Sequence, residues 1–393
     1  MNRRLLGVLS LGHLTVDIVA GGLPALLPYL QREFGLTYLM VGAIMVTSNI
    51  TSSIVQPIFG AASDRSGARY LLPVGVVCAL CGFAALGMLR SFGAILAAVA
   101  MAGIGSAAYH PEASKSAYYA AGRRSATGMS VFAVGGNIGT AIGPLLLTMA
   151  VAWGGLKATS LFVIPGAIVA TIVATTLPVI AGVASAHHRR KPASTASSSQ
   201  GPLTLLIAVV GLRSAVYGGL LTFVPLYAVN VLHRSPGGNG WLLFLLLGSG
   251  ALATALTGTI ADRYGKKPTV LVSLALAAPL LAIYLLSSGV AALIALALTG
   301  ASLIGTFALT VVMGQELLPN RLALASGLMI GFTTGLGGLA VVLVGRVADV
   351  AGLTMAMWCL VGAACAAFFL ALLLPFSGAR PAAVEGRVGA AAR

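Results

Sequence analysis

The 393-residue chain is 58% hydrophobic and 8% charged, with a mean hydropathy of +1.00, whereas a soluble domain carries about 25% charged residues. Its 23 Lys+Arg against 8 Asp+Glu give a net +15, which in a soluble chain would suggest nucleic acid as a partner but in one this apolar reads as basic loops on one side of a membrane. Disorder, a disulfide scaffold and a separate extracellular domain are excluded too, because no stretch between apolar segments is long enough to bury its own core.

A helix needs about 20 apolar residues to cross roughly 30 Å of hydrocarbon. Twelve runs are marked in chain order, near 5–30, 39–62, 70–90, 93–119, 126–152, 157–181, 204–230, 240–261, 269–288, 291–315, 323–348 and 352–375. They are too long and continuous for barrel strands of about ten alternating residues, which predicts an all-α integral membrane protein of twelve transmembrane helices. The first run contains an acid and lacks a small-residue cleavage site followed by a soluble chain, so it reads as a retained helix rather than a signal peptide. The longest polar interruption, SAHHRRKPASTASSSQGP from Ser185 to Pro202, has the composition of a flexible linker. The chain thus divides into an N-terminal six-helix bundle (1–182), a cytoplasmic linker (183–203), a C-terminal six-helix bundle (204–376) and a cytoplasmic tail (377–393).

Placing both termini in the cytoplasm puts sixteen basic residues inside, among them Arg65, Arg69, Arg123, Arg124, Arg263, Lys266, Lys267 and Arg321. Five, Arg32, Arg90, Lys157, Arg234 and Arg346, then fall outside, a strong positive-inside bias. Lys115 and Arg213 remain at membrane depth.

The halves repeat. DIVAGGLPALLPYL from Asp17 aligns with SAVYGGLLTFVPLY from Ser214 at an offset of 197, and GAASDRSG from Gly60 meets GTIADRYG from Gly258 at 198. Duplicated halves around a central linker describe a transporter that rocks one bundle against the other.

GAASDRSGAR, with Gly60, Asp64, Arg65 and Arg69, joins the second and third runs, and GTIADRYGKK, with Gly258, Asp262, Arg263 and Lys266, joins the eighth and ninth. The glycine permits close helix approach, the acid can sit against a neighbouring helix N-terminus, and the basic residues can reach carboxylates or helix C-termini. Such contacts would hold an inner gate shut; the plainer alternative is two solvated turns. In the fifth run Gly135, Gly139 and Gly143, followed by Pro144, repeat every four residues on one helix face, which serves close packing in any case.

Ionisable residues at membrane depth are functional candidates. Asp17 lies about twelve residues, or roughly 18 Å, into the first run, with His13 one turn earlier on the same face. AYHPEASK in the fourth run sets His110, Glu112 and Lys115 around Pro111, and the seventh run carries Arg213 with Tyr217 one turn later. The structural alternatives are an interior His13, an Asp17–Arg213 pair, a Glu112–Lys115 pair at i, i+3 and a Lys115 that snorkels to the interface. The functional expectation is that all of them line one cavity, with Asp17 or Glu112 carrying protons and His13, His110, Lys115, Arg213 and Tyr217 contacting substrate.

The paired loops resemble the cytoplasmic loop signature of the major facilitator superfamily, and the glycine run partly resembles that superfamily's antiporter motif. HLTVD from His13, YHPEASK from Tyr109, GGNIGTAIGPLL from Gly135 and LRSAVYGGLLTFVPLY from Leu212 are similar to the fosmidomycin resistance proteins, a bacterial branch of it. The resemblance spans both halves; the stretch Ile18 to Gly22 departs from it in being more glycine-rich. It implies a proton-driven exporter of the inner membrane, working as a monomer, whose name-giving substrate is a small phosphonate. An importer by proton symport is the alternative within transport. A membrane-embedded enzyme would need nucleophile, base and orienter together, and a receptor or scaffold gives no reason for duplicated loops.

No metal or cofactor is expected. Cys78 and Cys81 form a C-x-x-C with no second pair at metal spacing, and neither a phosphate-cradling G-x-x-x-x-G-K-[ST] nor a G-x-S-x-G elbow is present.

Overall fold

The computed structural model describes residues 1–36, 38–190, 200–232 and 240–375. Expectations placed on the heart of the linker, residues 191–199, on the tail after 375 and on Arg234 lie outside the described residues.

Within them the chain is helical throughout: α1 (Arg3–Phe34), α2 (Tyr38–Asn49), α3 (Gln56–Ser66), α4 (Leu71–Ala85), α5 (Phe92–Ala121), α6 (Ser125–Gly154), α7 (Val163–Arg190), α8 (Gln200–Asn230), α9 (Gly240–Tyr264), α10 (Lys266–Leu286), α11 (Gly289–Ile304), α12 (Phe307–Leu317), α13 (Leu322–Gly327), α14 (Thr333–Ala351) and α15 (Leu353–Leu372). Ten helical stretches among the described residues are long and apolar enough to cross a membrane. Their outward faces carry Met149, Leu252, Val342 and Phe369, all exposed, as a lipid-facing surface requires.

Four of the twelve expected runs are not single long helices. The second is divided by a π turn, Ile50–Ile54, between α2 and α3. The third stops at Ala85 and is succeeded by a turn in which the Gly87 N–H donates to Thr159 Oγ1 at 3.1 Å. Two others break internally: the tenth into α11 and α12 around Gly305 and Thr306, and the eleventh by a second π turn, Leu328–Phe332, between α13 and α14. Apolar composition reports burial in lipid and protein, not unbroken helicity, so such breaks leave no mark on a hydropathy profile. At the linker, α7 runs on to Arg190 and α8 begins at Gln200, so helix occupies both ends of the stretch 183–203.

The glycine run shows why α1 and α6 pack closely. A Cβ on Gly135, Gly139 or Gly143 would strike the backbone carbonyl of Ser10, Leu14 or Ile18 in turn. Each step of four on α6 meets a step of four on α1, the close approach that small residues allow between membrane helices. α5 stays helical through Pro111.

Candidate transport site and gate

Asp17 projects from α1 between two histidines. His13 Nε2 lies 3.3 Å from Asp17 Oδ2 and His110 Nε2 lies 3.1 Å from Oδ1. His13 Nδ1 is 2.9 Å from the Phe132 carbonyl, with its ring stacked on Phe132 at 4.3 Å, and His110 Nδ1 is 2.8 Å from the Ser106 carbonyl. A carbonyl can only accept, so each Nδ1 carries the proton and each Nε2 faces the carboxylate. Two nitrogens and a carboxylate, all acceptors when the histidines are neutral, therefore converge, and protons are what let them bond.

This trio forms one wall of a cavity of about 160 Å³ between the two halves of the chain, with Phe132, Asn137, Tyr217 and Phe307 also in the lining. Asn137 Nδ2 donates to Thr254 Oγ1 at 3.1 Å and so joins α6 to α9. Asn137 lay in view within GGNIG as an intramembrane amide; Phe132 and Phe307 gave no signal, because an aromatic in an apolar run is indistinguishable from packing.

Glu112 and Lys115 lie elsewhere, which corrects the expectation of one shared cavity. Lys115 Nζ is 2.6 Å from Glu112 Oε2, 3.9 Å from Asp64 Oδ1 and donates to Ser63 Oγ at 2.6 Å; Ser63 Oγ also donates to Glu112. Residues two apart on a helix do not share a face, so with His110 turned to the cavity Glu112 points away from it, toward α3. Arg213 is not in the cavity lining either. It is fully buried against Thr306, Thr310 and the ring of Phe307, and the Asp17–Arg213 alternative is absent because both Asp17 oxygens face histidines. Tyr217 is in the lining, edge-on to Phe307 at 5.7 Å.

The acids of the paired loops each meet a helix N-terminus. Asp64 accepts from Ala323 N at 3.1 Å and Leu324 N at 2.9 Å, at the start of α13. Asp262 accepts from Ala126 N at 3.2 Å, Thr127 N at 3.0 Å and Thr127 Oγ1 at 2.5 Å, at the start of α6. Both helices begin after an arginine, Arg321 or Arg124, that makes no side-chain cap, so each N-terminus is capped by an acid from the other half of the chain. A Cβ on Gly60 would strike the Ala323 carbonyl and one on Gly258 would strike Ser130, which is why glycine stands at both places. Gly67 ends α3 at φ +61 and Gly265 follows α9 at φ +97, left-handed turns that glycine adopts without strain. Burial, the largest influence, pushes the Asp64 carboxyl above its ordinary value, with the two backbone donors and Lys115 opposing.

Of the basic residues, Lys266 pairs with Glu316 at 2.9 Å, and Lys267 donates to the Leu372 and Leu374 carbonyls at the C-terminal end of α15 at 3.1 and 2.5 Å. Arg65, Arg69 and Arg263 enter none of the ion pairs among the described residues, so it is the two lysines rather than these arginines that reach a carboxylate and a helix C-terminus; Arg65 and Arg263 are exposed to solvent. Gln315 adds a contact missed in the sequence, donating to Ser114 Oγ at 3.2 Å across the same end.

A long-helix membrane fold, a cavity between halves and a carboxylate-locked end define a multi-pass membrane transporter. The chain belongs to the Major Facilitator Superfamily, whose family model matches residues 9–341, and it is accordingly a transporter and not an enzyme. It is 32% identical over 354 residues to the fosmidomycin resistance protein of Escherichia coli (strain K12), covering 88% of this chain and 86% of that one. It is 33% identical over 371 residues to the uncharacterized MFS-type transporter YfnC of Bacillus subtilis (strain 168), covering 89% and 88%. Among solved structures it superposes on the transporter FucP in the outward conformation with a TM-score of 0.74 at 15% identity, over 95% of this chain and 99% of that one. The human organic anion transporter MFSD10 (TETRAN) gives 0.73 at 18%, over 94% and 99%. At these identities the two structures speak to the fold alone.

Proposed function

We propose that the protein is a proton-coupled antiporter of the bacterial inner membrane, with both termini in the cytoplasm, that exports a small anionic compound of the phosphonate class by alternating access of two six-helix halves. The observation that carries the reading is Asp17 held between His13 and His110 on the wall of a cavity between the halves, while the end bearing the paired loops is locked by Asp64 and Asp262.

The titratable groups around Asp17 are His13 on its own helix, His110 and Tyr109 on α5 and, across the cavity, Tyr217 on α8. Protons entering from outside load the trio, and its charge moves from negative toward positive. That change alters the field a substrate meets in the cavity, and in exchange the proton-loaded and substrate-loaded states alternate through the cycle, which links the two fluxes without ATP. The phosphonate class rests on similarity to the fosmidomycin resistance protein. Glu112 is reassigned from proton carrier to partner of Lys115 in the lock.

Cells expressing the protein should resist fosmidomycin, and a protonophore should abolish the resistance. Asp17→Asn, inserted normally, should lose at least nine-tenths of it. Full resistance in Asp17→Asn across external pH 5.5 to 8 would refute the proton role; labelled substrate accumulating in right-side-out vesicles would support import.

A further inference from the structure

Arg213 has the largest fully buried side chain among the described residues, at 1% exposure, yet none of them balances its charge. Its terminal nitrogens donate only to neutral hydroxyls, Thr306 at 3.4 Å and Thr310 at 3.2 Å, and its Nε has no partner. No carboxylate among the described residues lies within 4.0 Å of it. The two acids at membrane depth are engaged elsewhere, Asp17 with His13 and His110, and Glu112 with Lys115. A guanidinium remains charged at any accessible pH, and an unpaired charge away from water is strongly unfavourable. Such a residue is retained when an anion completes it.

The position of Phe307 shows where that anion would come from. The Arg213 Cζ lies 4.0 Å from the Phe307 ring centroid, and Phe307 belongs to the cavity lining beside Tyr217. A single aromatic ring thus separates a buried, unbalanced guanidinium from the space that Asp17 faces. The ring eases the cation by its quadrupole but brings no negative charge. Phe307 is the first residue of α12, directly after the break around Gly305 and Thr306, so small backbone changes there move the ring.

We propose that Arg213 is the receptor for the anionic group of the transported compound and that Phe307 is the shutter which hides it from the cavity when no anion is bound. The ligand class is an oxyanion with two oxygens on one centre, a phosphonate or carboxylate, which the planar guanidinium grips in bidentate fashion. This deepens the transport reading above and rests on it: the proton trio lines one wall, from α1 and α5, and the anion receptor lies behind the opposite one, formed by α8 and α12. Phe307 would then set specificity as well, since only a ligand that displaces the ring gains the guanidinium.

The test uses the purified full-length protein in lipid nanodiscs, with propylphosphonate and its uncharged diethyl ester as probes. Propylphosphonate should raise the melting temperature of the wild type, and Arg213→Gln should weaken its binding at least tenfold with no change for the ester. Arg213→Lys should recover part of the loss, and Phe307→Ala should bind propylphosphonate several-fold more tightly. Without any added anion, Arg213→Met should melt higher than the wild type, because an apolar chain of similar length replaces an unbalanced charge. A lower melting temperature for Arg213→Met, recovered in the Asp17→Asn/Arg213→Met double variant, would make Arg213 a structural partner of Asp17 and overturn the proposal. Failure of propylphosphonate to bind the wild type, or equal binding by Arg213→Gln, would overturn it as well. Proton-driven transport that persists alongside such a failure would remove the receptor and leave the antiporter reading standing.

Discussion

At the scale of single residues the protein turns on how few polar atoms face its cavity and how firmly they are aimed. Backbone carbonyls of Phe132 and Ser106 fix the tautomer and direction of His13 and His110, so the histidines are held ready for Asp17. Gly136 completes the arrangement by absence: a Cβ there would strike His13 Nε2 and meet Asp17 Oδ2. Gly136→Ala is therefore expected to insert normally but lose transport at least tenfold, whereas Gly182→Ala, where a Cβ meets nothing within 4 Å, should transport as the wild type; resistance assays with matched expression would check both. Membrane depth alone was enough to pick out His13, Asp17, His110 and Arg213 from the sequence. Their partners were not legible, because a helix rotates about 100° per residue and no local pattern says which face of α5 turns to the cavity. Two residues thus sent His110 to the site and Glu112 to the lock.

At the scale of elements, the recurring device is a helix N-terminus capped from the opposite half. Asp64 serves α13 and Asp262 serves α6, each through the N–H groups of the second and third helical residues, where capping oxygens bind and the helix dipole favours an anion. Loss of one cap costs about 1 kcal/mol. The two are far apart in the chain and serve different helices, so Asp64→Ala/Asp262→Ala should cost about 2 kcal/mol of closure, a roughly 30-fold shift toward opening of that end. Spin labels on Ser66→Cys and Asn320→Cys, both exposed, should report a longer mean distance in the double variant than in the parent. The duplication made this lock readable from sequence. The π turns at Ile50–Ile54 and Leu328–Phe332 were not readable; they meet where a Cβ on Gly331 would strike Ser53 and Gln56, and π turns in helices often mark functional sites.

At the scale of the whole molecule, the proposed proton site and the proposed gate are separate centres joined by one helix. α5 carries His110 in the first and Glu112 and Lys115 in the second, and on the proposed reading a change at the trio would reach the lock along this one helix. Glu112→Gln should accordingly slow the cycle without removing its proton dependence, seen as a lower maximal rate with an unchanged pH profile. The central claim is that the trio links proton flow to substrate flow. The most direct measurement is phosphonate efflux from proteoliposomes under an imposed pH gradient, with wild type and Asp17→Asn compared. Efflux by the wild type should rise with the gradient and collapse with a protonophore, and Asp17→Asn should show no response to either. A wild type indifferent to the gradient, or an Asp17→Asn variant that follows it fully, would contradict the account.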